Sequence, residues 1–170
     1  MSDDRAKRFA GVYEDSYGAI HAYASRRVGA EAADEIAAET FLAAWRKFDV
    51  LPSDPLPWLY GVARNMLARS YSVNGRERQT RSALERERPR SIDSGDGGDP
   101  RLWAAWGQLS AVDREVLALV AWEELSVADA ARALGCTAPV FSVRLYRARR
   151  RLHRLLADGR PLSPVEPLEA

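Results

Sequence analysis

A segment almost without apolar side chains, residues 80–100, divides the chain into two parts. Its second half, 91–100, consists nearly entirely of Ser, Gly, Asp and Pro, a composition that buries too little apolar surface to offset the entropy lost on ordering. We therefore expect a flexible linker here, between two small domains at 1–79 and 101–157. The Pro-rich residues 158–170 are expected to form a disordered tail.

Apolar residues on both sides of this linker recur every three or four positions, the spacing of one face of an α-helix. In the first part Ile36, Phe41 and Ala44 follow this pattern, and no segment alternates between polar and apolar residues as a strand would. Three prolines predict a loop over 49–57, because proline lacks an amide donor and restricts the residue before it. The predicted fold class is all-α, with two small helical domains.

The composition argues against several classes of protein. No apolar run approaches the ~20 residues that span a bilayer, and the start of the chain does not resemble a secretion signal, so we expect a cytoplasmic protein without membrane insertion. A single cysteine, Cys136, forms no internal disulfide and has no neighbouring Cys or His to suggest a metal site. His21 and His153 have no nucleophile or carboxylate cluster beside them. We expect no enzymatic activity, no cofactor and no metal.

Charge is segregated along the chain although the net charge is only +1. Basic residues concentrate in 64–90 and 144–160, whereas acidic residues dominate 1–63 and 91–143. Two basic blocks separated by acidic ones suggest two places where phosphate is bound. Two solvated helix faces would give the same pattern, so charge alone leaves both interpretations open.

Residues 126–154 have the pattern of a helix-turn-helix, in which a short helix and a tight turn place a longer helix in the DNA major groove. Ser126 is expected to cap the short helix and Gly135 to end it. In the longer helix, apolar side chains from Phe141 to Leu155 form one face and arginines dominate the other. Ser142, Val143, Tyr146 and Arg147 are expected to contact base edges, and Arg149, Arg150 and Arg154 the phosphate backbone. Arginines near a helix C-terminus also complement the helix dipole, so a purely structural role stays open.

Four segments, in this order, resemble the extracytoplasmic function sigma factors, the smallest sigma factors of bacterial RNA polymerase. Ala32–Leu42 is similar to the acidic motif of their region 2, Trp58–Asn65 to the next helix of that region, Leu109–Leu117 to the opening of region 4, and Val143–Arg149 to the recognition helix. The resemblance covers about residues 9–156. It implies a region 2 domain that binds polymerase and the minus-10 element, and a region 4 domain that binds the minus-35 element.

The resemblance also implies roles for individual residues. It implies that core RNA polymerase is bound, at its clamp, by Asp34, Glu35, Glu39 and Phe41. It implies that minus-10 DNA is bound by the loop 49–56 together with Trp58, Arg64, Asn65 and Arg69. It implies that minus-35 DNA is bound by Arg144 together with the residues of the longer helix of the helix-turn-helix: Ser142, Val143, Tyr146, Arg147, Arg149, Arg150 and Arg154. Many members of this family are held inactive by an anti-sigma factor, which makes such a protein a candidate partner.

The chain departs from the family pattern where Pro139-Val140-Phe141-Ser142-Val143 replaces the usual Gly-Thr-Val-Lys-Ser. A minus-35 sequence preference is therefore not carried over from the family. Two other functions share parts of the pattern: a helix-turn-helix regulator of another class, which leaves 33–65 unexplained, and a helical adaptor that binds polymerase without sigma activity. Promoter-dependent transcription with core polymerase distinguishes a sigma factor from both.

Overall fold

The computed structural model describes residues 2–81 and 99–158, where all regular structure is helical. The helices are α1 Ser2–Val28, α2 Ala30–Arg46, α3 Leu56–Arg81, α4 Pro100–Gln108, α5 Ala111–Ala121, α6 Val127–Ala133 and α7 Ala138–Asp158, with a 3-10 turn at Phe48–Val50. These two ranges contain no strand, so the all-α prediction is confirmed. None of their helices combines the length and apolarity needed to cross a membrane. Most of the predicted linker and tail lies outside the described residues.

The described ends of the predicted linker and tail are helical. α3 continues to Arg81, and α7 continues to Asp158. α4 already begins at Pro100, where the Asp99 carboxylate accepts a hydrogen bond from the Arg101 amide at 2.9 Å. Proline fits this first turn because an amide there has no helical partner. The helices therefore extend slightly into both segments that were predicted to be irregular.

Helices α1, α2 and α3 form a bundle, here called the N-terminal unit. Gly29 joins α1 to α2 with a φ of 83°, a left-handed conformation that glycine adopts without steric cost. The apolar face predicted for α2 is buried: Ala33, Ile36, Ala37, Thr40, Phe41 and Ala44. Ile20 from α1 and Leu59 from α3 are fully buried against it. The core of this unit therefore follows the predicted periodicity.

The loop predicted over 49–57 is wrong at both ends. Phe48–Val50 forms a 3-10 turn whose phenylalanine ring is buried. α3 begins at Leu56, so Pro57 lies in its first turn, where a missing amide needs no partner. The prolines therefore mark the start of this helix as well as the loop before it.

Helices α4 to α7 form a second bundle, here called the C-terminal unit. Ser110 and Ser126 cap α5 and α6, since each hydroxyl oxygen accepts a hydrogen bond from the amide three residues later, at 3.1 Å. Gly135, with a φ of 64°, directs the chain from α6 into α7. The seam of α7 is buried at Phe141, Leu145 and Ala148. The predicted helix-turn-helix is confirmed.

The two units are in contact. α3 of the N-terminal unit packs against α6 of the C-terminal unit. Charged side chains from α1 also meet carboxylates of the C-terminal unit, with Arg27 Nε donating to Glu115 Oε2 at 3.0 Å. The arrangement is therefore closed, although the sequence suggested two independent domains.

Candidate nucleic-acid interface

α7 presents an arginine-rich face to solvent, opposite its buried seam. The residues predicted to bind minus-35 DNA are all exposed: Ser142, Val143, Arg144, Tyr146, Arg147, Arg149, Arg150 and Arg154. Val143 and Tyr146 keep 49% and 60% of their surface in water. The Arg150 guanidinium carbon lies 5.8 Å from the centroid of the Tyr146 ring, a cation–π contact. The face therefore combines positive charge with apolar and aromatic groups that can contact bases.

Arg151 belongs to the fold rather than to this face, and it was not among the predicted functional residues. Its Nη1 donates to both carboxylate oxygens of Asp113, at 2.8 and 2.7 Å. Asp113 is buried at the start of α5, where a carboxylate requires a charged or hydrogen-bonding partner. The Ser110 hydroxyl thus caps the amide of Asp113, and the ion pair with Arg151 satisfies its carboxylate. No local pattern in the sequence indicates this pair, because its two residues lie 38 positions apart.

The residues predicted to bind minus-10 DNA lie along α3. Trp58, Asn65 and Arg69 share one side because they are spaced by seven and four positions. Arg64, Asn65 and Arg69 are exposed, and Trp58 is partly buried. Trp58, Arg64 and Asn65 line an open cleft of about 270 Å³. Its opposite wall is α6 and the turn that follows, including Arg132.

An acidic surface lies on α2. Asp34, Glu35 and Glu39 are exposed, as expected for residues that contact a partner. Leu42 and Trp45 add apolar surface on the same helix, with 49% and 36% exposed. Neither residue was among the predicted contact residues. Leu42 could have been identified from the sequence, because it lies outside the spacing of three or four positions that the buried residues of α2 follow.

Phe41 does not reach the acidic surface. It is 4% exposed, and its ring lies 4.8 Å from the Tyr13 ring and 6.1 Å from the Tyr17 ring, measured between centroids. In this structure Phe41 is therefore not exposed for a contact with polymerase. The helical period already placed Phe41 with Ala37 and Ala44 on the core side of α2.

The two histidines, His21 and His153, lie on different helices, α1 and α7. His21 Nε2 lies 3.1 Å from Asp34, and the ring stacks on Tyr17. His153 is exposed on α7. Within 2–81 and 99–158, no group of three or more His, Cys, Asp or Glu side chains is arranged to hold a metal ion.

Two family models match the chain, in the order of the two units. The model described as sigma-70 region 2 matches residues 12–77, and the model described as sigma-70 region 4 matches residues 101–152. The first range contains the α2 surface and the Asn65 side of α3. The second contains the helix-turn-helix.

Named relatives and a solved structure agree with these matches. The ECF RNA polymerase sigma factor BldN of Streptomyces coelicolor is 30% identical to this chain over 164 residues. This alignment covers 90% of the chain and 62% of BldN, so the chain spans less than two thirds of that relative. The RNA polymerase sigma factor NccH of Alcaligenes xylosoxydans xylosoxydans is 27% identical, over 88% of this chain and 87% of NccH. The sigma factor RpoE of Bartonella quintana, solved in complex with the anti-sigma factor NepR, is 28% identical with a TM-score of 0.69, covering 91% of this chain and 99% of RpoE. The chain therefore belongs to the sigma-70 family and, within it, to the extracytoplasmic function sigma factors.

Proposed function

We propose that this chain is a sigma factor that binds core RNA polymerase and directs it to promoters through contacts with minus-10 and minus-35 DNA. The observation that carries the proposal is that one chain holds both a region 2 and a region 4 match, each with an exposed face suited to nucleic acid. A regulator of another class would need only the α7 face, and the α2 and α3 surfaces would then have no role. The chain acts in the cytoplasm, where polymerase and chromosomal DNA are found.

The α7 face accounts for minus-35 recognition. Arg147 offers paired donors that match the guanine edge in the major groove, and Val143 offers apolar contact with a thymine methyl group. The Ser142 hydroxyl donates to the Ala138 carbonyl oxygen at 2.9 Å, so toward DNA it acts as an acceptor, for an amino group of adenine or cytosine. Arg144, Arg149, Arg150 and Arg154 contact phosphates on either side. These substitutions for the usual family residues give the chain its own minus-35 preference.

The α3 face accounts for minus-10 recognition. The Asn65 amide pairs a donor with an acceptor, the combination that adenine offers on its major-groove edge. Arg64 and Arg69 lie beside it and contact the backbone. Trp58, at the first turn of α3, provides an aromatic surface on which an unpaired base stacks.

The α2 surface accounts for polymerase binding. Asp34, Glu35 and Glu39 attract a basic surface on the clamp, and such complementarity speeds association. Leu42 and Trp45 supply the apolar centre that most interfaces need. They take the part predicted for Phe41, whose ring is buried.

Run-off transcription with purified core polymerase on genomic fragments, followed by mapping of start sites, tests the function. Promoter-dependent transcripts support it, whereas co-elution with core without such transcripts supports the adaptor. Arg147→Ala should lower transcription from a mapped promoter by about tenfold, because one base contact contributes roughly 1–3 kcal/mol. Arg101→Ala, an exposed arginine on α4, is the control and should leave transcription unchanged. Equal loss of core binding by Arg147→Ala would refute the role given to Arg147.

An anti-sigma factor is a further proposed partner, because the similar RpoE was solved bound to NepR. Such a protein should co-purify with this chain from its own cells and suppress run-off transcription when added back. A co-purifying protein without effect on transcription would not be an anti-sigma factor.

A further inference from the structure

Three exposed side chains form a line along α7, on the side opposite its buried seam. Val143, Tyr146 and Arg150 are spaced by three and then four positions, so they point the same way from the helix. All three are exposed, Val143 to 49% and Tyr146 to 60%. They are here called the outer stripe. From its N-terminal end, the outer stripe presents an aliphatic, an aromatic and a cationic group, in that order.

The cationic member of the outer stripe lies over the aromatic one. Long side chains of a helix lean toward its N-terminus, over the residue three or four positions earlier. The Arg150 guanidinium carbon accordingly lies 5.8 Å from the centroid of the Tyr146 ring. Such a cation–π contact is weak in water and becomes stronger where water is excluded, as it is between a helix and DNA. The contact therefore restrains the orientation of the Tyr146 ring, most of all when DNA is bound.

The other two members of the outer stripe offer apolar surface to the bases. A donor or acceptor on a base edge loses hydration without replacement when an apolar group covers it. Thymine is the base whose major-groove edge carries a methyl group. The neighbouring Ser142 hydroxyl adds no donor here, because it donates to the Ala138 carbonyl oxygen at 2.9 Å. Thymine is therefore the base favoured opposite both Val143 and Tyr146.

The spacing of these two apolar groups fits neighbouring bases. Three residues advance by about 4.5 Å along an α-helix, and adjacent base pairs are roughly 3.4 Å apart. The Tyr146 side chain leans toward Val143, which shortens the separation of the two groups. They thus match two successive thymines on one strand.

We propose that Arg150 is a positioning residue that holds the Tyr146 ring beside Val143, and that this pair reads the methyl groups of two adjacent thymines in the minus-35 element. The proposal rests on the proposed sigma function and deepens its minus-35 role, because it names the bases that are selected. It also gives Arg150 a part in base selection in addition to its phosphate contact. The phosphate holds the guanidinium, and the guanidinium holds the ring.

The test removes single methyl groups from the DNA. In a promoter mapped by run-off transcription, each thymine of the minus-35 element, on both strands, is replaced in turn by deoxyuridine, which lacks only the 5-methyl group. Binding of the holoenzyme is measured for each fragment. We expect two of these replacements, at adjacent positions of one strand, each to weaken binding by about fourfold, the loss that one buried methyl group gives.

Variants of the outer stripe assign the two methyl groups. Val143→Ser should abolish the effect of one replacement and Tyr146→Ala the effect of the other, whereas Tyr146→Phe keeps the ring and should retain both effects. Arg150→Lys keeps the charge that meets phosphate but lacks the planar group that stacks on the ring. It should reduce the effect assigned to Tyr146 to below about twofold and leave the salt dependence of binding unchanged. Arg101→Lys, the same change at an exposed position of α4, is the control and should alter neither measurement.

The proposed base reading is overturned if deoxyuridine has no effect at any thymine of the element, or if the mapped minus-35 elements contain no two adjacent thymines. Persistence of both effects in Tyr146→Ala also overturns it. Equal effects in Arg150→Lys and in the unmodified holoenzyme overturn the positioning role. The deoxyuridine series with the unmodified chain decides the base reading even where circular dichroism shows that a variant has lost helix. Absence of promoter-dependent transcription by the unmodified chain with core polymerase is a separate result, because it rejects the proposed function itself.

Discussion

At the scale of single residues, the C-terminal unit depends on one buried carboxylate. We expect Asp113→Ala to lower the free energy of unfolding by about 2 kcal/mol, since charge-assisted hydrogen bonds contribute roughly 1.5–3 kcal/mol. The loss stays in this range because Arg151 is 53% exposed and recovers hydration. Asp15→Ala, at an exposed position of α1, is the control and should shift stability by less than about 0.5 kcal/mol. Urea unfolding measures both, and similar effects of the two substitutions would contradict the role of the pair.

The cap of α6 gives a second prediction, on the dependence of stability on pH. The hydrogen bond from the Ser126 hydroxyl, followed by that from Arg132, lowers the pKa of Asp129 below its ordinary value of 3.8. The folded state therefore binds this proton less readily than the unfolded state, so the stabilisation is present above pH 3.8 and is lost as pH falls through the lowered pKa. Ser126→Ala should cost about 1 kcal/mol near neutral pH, as loss of an N-cap does.

The same substitution should also make stability fall less steeply on acidification, because it removes the main cause of the lowered Asp129 pKa. Ser142→Ala, an exposed serine within α7, should neither lower stability nor alter its pH dependence. Urea unfolding at a series of pH values measures both variants. If the free energy of unfolding of Ser126→Ala fell with acidification as steeply as that of the unmodified protein, the cap would not be the cause of this pH dependence.

At the scale of helices, the features that the sequence predicted are those set by residues close to one another along the chain. Caps and helix ends such as Ser126 and Gly135 act through the backbone a few residues away, so they could be located without a structure. The 49–57 prediction failed because proline is compatible with a first helical turn as well as with a loop. The ion pair between Arg26 and Glu123 joins positions 97 apart in sequence. No local pattern identifies such a partner, which is why the contact between the two units was not predicted.

Gly61 tests the packing of α3 on α6. Alanine normally stabilises a helix interior by about 0.5–1 kcal/mol relative to glycine. At Gly61 the added Cβ would lie 3.1 Å from the Ala133 carbonyl oxygen, so we expect the gain to be offset by displacement of α6. Gly11→Ala, where no atom lies within 4 Å of the new Cβ, should show the full gain. Urea unfolding compares the two, and an equal gain at both positions would mean that α3 and α6 are not in close contact in solution.

At the scale of the whole molecule, the net charge of +1 results from surfaces of opposite sign. The α7 face is basic and the α2 surface is acidic, which suits simultaneous binding of DNA and of a basic surface on polymerase. The closed arrangement pairs α1 arginines with carboxylates of the C-terminal unit. Separation of the units would therefore expose additional charge of both signs.

The salt dependence of promoter binding by the holoenzyme tests how this charge is used. Each phosphate neutralised by a protein cation contributes about −0.9 to the slope of log K against log salt. Arg150→Gln and Arg154→Gln should each flatten the slope by about this amount on every DNA sequence, because phosphate contacts carry no sequence information. Arg46→Gln removes an exposed cation from α2 and should leave the slope unchanged. Unchanged slopes for the α7 variants would place these arginines away from DNA and leave them the structural role of complementing the helix dipole.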